Sequence, residues 1–122
     1  MLGWEIFVHR QLPGESLENP SNESRLATWR TSIGGLDWLD KLVKEGKAVD
    51  LGGNGYPCRF TAAAKEILPR ISRGVPAHTG PAVIGDDYYL PAGWSEKVQL
   101  DRAKVLECPP DAQLVIEAWD QS

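Results

Sequence analysis

The sequence predicts one α+β domain over residues 1–122, with a mixed or antiparallel sheet of four to six short strands and helices mainly on one face. Three observations lead there. Apolar and polar residues alternate at both ends of the chain, as half-buried strands require. Between them lie apolar residues at spacings of three and four, together with an Asn-Gly dipeptide, so helices and a hairpin separate the outer strands. The 122 residues, 42% hydrophobic and 25% charged, suffice for one core and fit neither a disordered nor a fibrous chain.

The first strand runs from Trp4 to Arg10, where Trp4, Ile6 and Val8 alternate with Glu5, Phe7 and His9. Residues 11–23 concentrate Pro13, Gly14, Asn19, Pro20 and Asn22 without periodicity and read as a loop. After a cap at Ser21 or Ser24, the recurrence of Leu26, Trp29, Ile33 and Leu36 fits one stripe of a helix. Gly34-Gly35 would cost that helix about 2 kcal/mol against two alanines, so a second helix is expected from Asp37, ending at Gly46.

Val49 and Leu51, then Asn54-Gly55, then Tyr56, Cys58 and Phe60 form the clearest local signal, a hairpin closed by a two-residue type I′ turn. Pro57 cannot donate to a ladder, so its strand should lie at a sheet edge or pair on one side only. Thr61 caps a helix that Pro69 should stop. Residues 72–82 read as a loop carrying His78. Val83–Leu90 and Lys97–Leu100 read as strands joined through Pro91-Ala92-Gly93-Trp94, Asp101 caps a short helix, and Leu114, Ile116 and Ala118 form the inner face of a closing strand over 113–120.

Composition narrows the setting. No stretch approaches the roughly 18 apolar residues of a spanning helix, and no basic leader precedes an apolar run, so a cytoplasmic protein outside the membrane is expected. Cys58 and Cys108 are two cysteines only, read as free thiols rather than a disulfide framework. The net charge of −4 is segregated, with nine basic and five acidic groups over residues 24–73 and acidic excess on both sides. Lys41, Lys44, Lys47, Arg70 and Arg73 are interleaved with acids and follow no recognition motif, so nucleic acid is not the expected partner.

Candidate chemistry is sparse. The segment Gly53, Asn54, Gly55, Tyr56 with Arg59, joined by His78, is the best candidate for a ligand: glycine N–H groups can turn toward an anion and arginine can match its charge. Cys58 alternates inward with Tyr56 and Phe60 and reads as a buried small hydrophobe rather than a nucleophile. His9, His78, Cys58 and Cys108 lack the close pairs of a zinc site, and Asp86-Asp87 reads as a solvated turn. No catalytic set, cofactor or metal is predicted.

Among the tryptophans, Trp4 and Trp29 fall on core stripes, while Trp38, Trp94 and Trp119 do not and are candidates for an interface, where tryptophan is enriched among residues that dominate binding. The expected function is therefore a small non-enzymatic binding or regulatory protein of the inhibitor, immunity or adaptor type, acting on a partner protein, with a homodimer as a further arrangement. The alternative is a small enzyme or ligand-binding domain that holds an anion between Gly52 and Arg59.

Overall fold

The last strand of the chain lies in the middle of its sheet. A computed structural model describes residues 3–11, 24–72, 83–84, 89–90 and 93–121. In it β1 (Trp4–Arg10), β2 (Arg25–Thr31), β3 (Ala48–Gly53), β4 (Cys58–Ala63), β7 (Gln99–Leu100) and β8 (Gln113–Asp120) form one open antiparallel sheet in the order β3-β4-β8-β1-β2-β7. Between them in sequence, β5 (Val83–Ile84) and β6 (Tyr89–Leu90) make a separate two-stranded ladder. The helices are α1 (Asp37–Lys44), α2 (Ala64–Ile71) and α3 (Arg102–Glu107). This is the predicted α+β class with a six-stranded sheet.

One face of the sheet makes the core. Ile6 and Val8 of β1, Ala27 and Trp29 of β2, Phe60 and Ala62 of β4, and Leu114, Ile116 and Ala118 of β8 point to it, as the strand register requires. Trp38, Leu39 and Leu42 of α1 and Ala64, Ile67 and Ile71 of α2 cover that face and join the same cluster. Val105 of α3 packs against it as well. On the other face of β8, Val115 and Glu117 are buried too, with the Arg59 and His9 side chains beside Glu117.

Residues 25–31 form a strand and not the helix that their spacing predicts. Ala27, Trp29 and Thr31 are buried while Thr28 and Arg30 are not, which is period two. A register shift opposite Val8 and His9 leaves Leu26 as an extra buried residue. That bulge, plus Ile33 and Leu36 in a following 3-10 turn (Ile33–Leu36), imitates a helical stripe. The turn leads into α1, which ends as predicted at Gly46, at φ 76°.

The β3–β4 connection also departs from expectation. Four residues, Asn54 to Pro57, separate the strands, and only glycines among the described residues have positive φ, so Asn54 is not in a type I′ turn. Asn54 Oδ1 instead accepts the N–H of Tyr56 at 3.0 Å, an Asx turn, and the Tyr56–Pro57 peptide is cis. Pro57 precedes β4, which is an inner strand, so the ladder loses no donor to it. Thr61 lies within β4 and does not cap α2.

Pro69 does not stop α2, which continues to Ile71. A proline inside a helix costs about 3 kcal/mol. Complete burial of Ile71 returns about 2–3 kcal/mol, and the Ser72 hydroxyl, at 2.6 Å, shares the Leu68 carbonyl with the Ser72 N–H. Tertiary packing therefore offsets the local preference. Finally, β7 pairs with β2 rather than with the segment from Val83 to Leu90, and Asp101 caps α3 as expected by accepting the Lys104 N–H.

Candidate functional site

The chemistry-bearing side chains gather on the sheet face opposite the helices. Register sets two neighbouring rows there: Arg59, Glu117, Phe7 and Thr28 face one another across β4, β8, β1 and β2, and Thr61, Val115, His9 and Arg25 form the next. Arg59 and Glu117 are thus direct cross-strand neighbours, and His9 sits diagonally from Glu117. Arg59 Nε donates to Glu117 Oε2 at 3.2 Å, with the carboxylate side chain 7% exposed. His9 Nε2 stands 3.6 Å from Glu117 Oε1, and His9 Nδ1 lies 3.3 Å from Ser24 Oγ. Phe7 stacks on the His9 ring and carries the Arg25 guanidinium 5.8 Å from its centroid.

Burial pushes the Glu117 carboxyl above its ordinary range, against the Arg59 charge, the Arg59 hydrogen bond and a bond from Trp119, all of which pull it down. Serine, histidine and glutamate in this order are the components of a nucleophilic triad, but the arrangement does not work as one. The imidazole-to-carboxylate distance exceeds a hydrogen bond, the carboxylate is held by Arg59, and Ser24 is only 2% exposed. The cluster holds β8 in register against β1 and β4, with paired charges where a slip by one residue would bury them unpaired.

The loop predicted from sequence to hold a ligand makes several bonds within the chain. The Gly55 carbonyl accepts the Asp120 N–H at 2.7 Å, the Tyr56 N–H goes to Asn54, and the Gly52 N–H goes to Asp50 Oδ1 at 2.7 Å. Gly53 stands where a Cβ would overlap the Pro57 carbonyl oxygen. Two acidic side chains, Asp50 and Asp120, adjoin these donors, and Arg59 turns to Glu117. The Gly52 and Tyr56 N–H groups and the Arg59 guanidinium thus make bonds within the chain. His78 lies outside the described residues, as do Asp86 and Asp87.

The interface candidates separate. Trp38 is buried, 6.4 Å from Trp29 between ring centroids, because α1 turns it toward the sheet together with Leu42 one helical turn later. It belongs to the core and not to an exposed patch. Trp94 is half-buried, with its carbonyl accepting from the Ser32 N–H and the Thr31 hydroxyl. Trp119 is half-buried at the end of β8, on the face of Glu117. Cys58 packs against the core, on the opposite sheet face from His9, and both cysteines are free thiols.

Sequence reasoning gave no site role to Val49 and Leu51, which are exposed apolar residues near the ligand candidate Tyr56. Val49 (56% exposed) and Leu51 (43%) on edge strand β3, with Tyr56 (55%) in the adjoining connection, are three of the four exposed large hydrophobics among the described residues; the fourth, Leu106, is on α3. A register shift at Leu51 makes a bulge in that edge. Among the described residues, no group of three or more His, Cys, Asp or Glu side chains could hold a metal, and no helix is long and apolar enough to cross a membrane. No protein-family model, curated protein or solved structure matches the chain.

Proposed function

We propose that this chain is a non-enzymatic binding domain whose partner protein docks on β3 and the β3–β4 connection. The observation that carries the reading is the grouping of exposed Val49, Leu51 and Tyr56 at one sheet edge, while other large apolar side chains, Leu106 excepted, are partly or wholly covered among the described residues. Grouped apolar side chains on a surface mark contact sites more than scattered ones do. Tyrosine supplies contact area at low entropy cost.

Contact is made through side chains. The bulge at Leu51 and the charge of Asp50 blunt the edge against addition of another strand. Asp120 adjoins Gly55 in the β3–β4 connection, so the partner presents an apolar projection with a basic group at that rim. Half-buried Trp119, whose neighbour Asp120 bonds the Gly55 carbonyl, is the tryptophan we expect to add area to this contact.

A photo-reactive residue at position 56 tests this, with a second placed at Lys41 on α1 as control. In lysate of the source cell, one protein should couple at 56 and not at 41, and Val49→Ser/Leu51→Ser should lose it while unfolding at the same urea concentration. Equal coupling at both positions, or retention of the partner by the double variant, overturns the reading.

A further inference from the structure

We infer that a second copy of this chain packs on α3, antiparallel to the first across a two-fold axis. The helix turns Val105 and Lys104 toward the body and presents Arg102, Ala103, Leu106 and Glu107 outward. Leu106 is 86% exposed, more than Val49, Leu51 or Tyr56. Beside it runs a shallow groove between α2 and α3, lined by Leu68, Pro69, Val105, Cys108 and Pro110.

The charges on α3 are the second observation. Arg102 occupies the first helical position and Glu107 the last, which sets both against the helix macrodipole. Neither makes an ion pair or side-chain hydrogen bond with the described residues, unlike Lys104, which pairs with Asp101. A helix that breaks a local rule at both ends without internal compensation has those charges placed for something outside itself.

Read outward along α3, the order is cation, small apolar, large apolar, anion. That order is palindromic in charge and complementary in size. When two copies run antiparallel, Arg102 faces Glu107 of the second copy and Ala103 receives its Leu106, and one two-fold axis makes each contact twice. The paired ridge of Leu106 side chains lies along the rims of the two grooves.

With six residues per helix the area falls below that of standard interfaces, so association is weak. The surface is separate from β3, and the inference does not depend on the function proposed above.

Sedimentation velocity on the full chain between about 10 µM and 1 mM tests it. The weight-average mass should rise with concentration from 13.4 kDa toward twice that value. Leu106→Asp, at a site exposed enough to leave folding intact, should remain at the monomer mass. Arg102→Glu should weaken association about tenfold by opposing Glu107 of the second copy with a like charge. Arg102→Glu/Glu107→Arg should restore it. A monomer mass throughout, an unaffected Leu106→Asp, or a double reversal that fails to recover what Arg102→Glu lost would each overturn the inference.

Discussion

Arg59→Ala removes the cation from a carboxylate that has almost no contact with water. Deleting one partner of a buried pair costs about 3–5 kcal/mol. Here Arg59 keeps 23% exposure and Glu117 only 7%, so water reaches the vacated side and the expected cost is about 2–3 kcal/mol. With a urea dependence of about 2 kcal/mol per molar, the unfolding midpoint should fall by about 1–1.5 M. Replacing both members, Arg59→Met/Glu117→Leu, removes the desolvation cost along with the attraction and should return to within about 1 kcal/mol of the parent.

The same site sets a pH dependence. A carboxyl whose folded pKa lies above its ordinary value of 4.5 contributes stability that is complete below 4.5 and is lost as pH rises through the folded value. Arg59→Ala removes the largest influence pulling Glu117 down, so its folded pKa climbs further. The deficit of Arg59→Ala against the parent should therefore be smaller at pH 5 than at pH 7.5, and Glu117→Gln in the Arg59→Ala background should remove that difference. A midpoint shift under about 0.25 M for Arg59→Ala, or an apolar pair less stable than Arg59→Ala, refutes the reasoning.

Three further variants report on other elements. Gly53→Ala meets both a φ of 123° and the carbonyl oxygen of Pro57, so urea unfolding should show a loss of about 3 kcal/mol or more. Asp101→Ala deletes the cap on the Lys104 N–H and should cost about 1 kcal/mol by the same measurement, while Asp101→Asn costs about half as much or less. The buried indole N–H of Trp38 has no hydrogen-bond partner among the described residues. Trp38→Phe should regain about 1–3 kcal/mol of desolvation against a similar loss of packing, leaving the midpoint within about 0.5 M of the parent; a larger fall would give that N–H a partner.

What the sequence reveals about this fold depends on whether a pattern is interrupted. Uninterrupted alternation makes β1 and β8 readable, and a polar residue with the right side-chain oxygen marks the start of α3 at Asp101. In β2 a single extra residue, Leu26, breaks the alternation and turns it into a false helical spacing. Trp38 falls outside the stripes read from spacing, yet the face that α1 buries includes it together with Leu39 and Leu42. The site is less legible still. Arg59 stands out beside its glycine-rich loop, yet its partner is a cross-strand neighbour, and His9 meets Glu117 only because β8 inserts between β4 and β1. No local spacing carries that adjacency. The exposed Val49 and Leu51 pass in sequence for ordinary strand residues, since edge and inner strands differ in who their neighbours are.

The central position of β8 has a consequence for how this chain comes off the ribosome. Among the six strands of the sheet it is synthesised last, and it alone joins the β1–β2 ladder to the β3–β4 ladder. Between the completion of β4 at Ala63 and the emergence of β8 at Gln113, the β1–β2 and β3–β4 ladders each present an unsatisfied inner rim without the strand that joins them. Loss of residues from 113 onward, through a premature stop or proteolysis, would leave the chain in that condition, a substrate for chaperones rather than a shortened version of the fold.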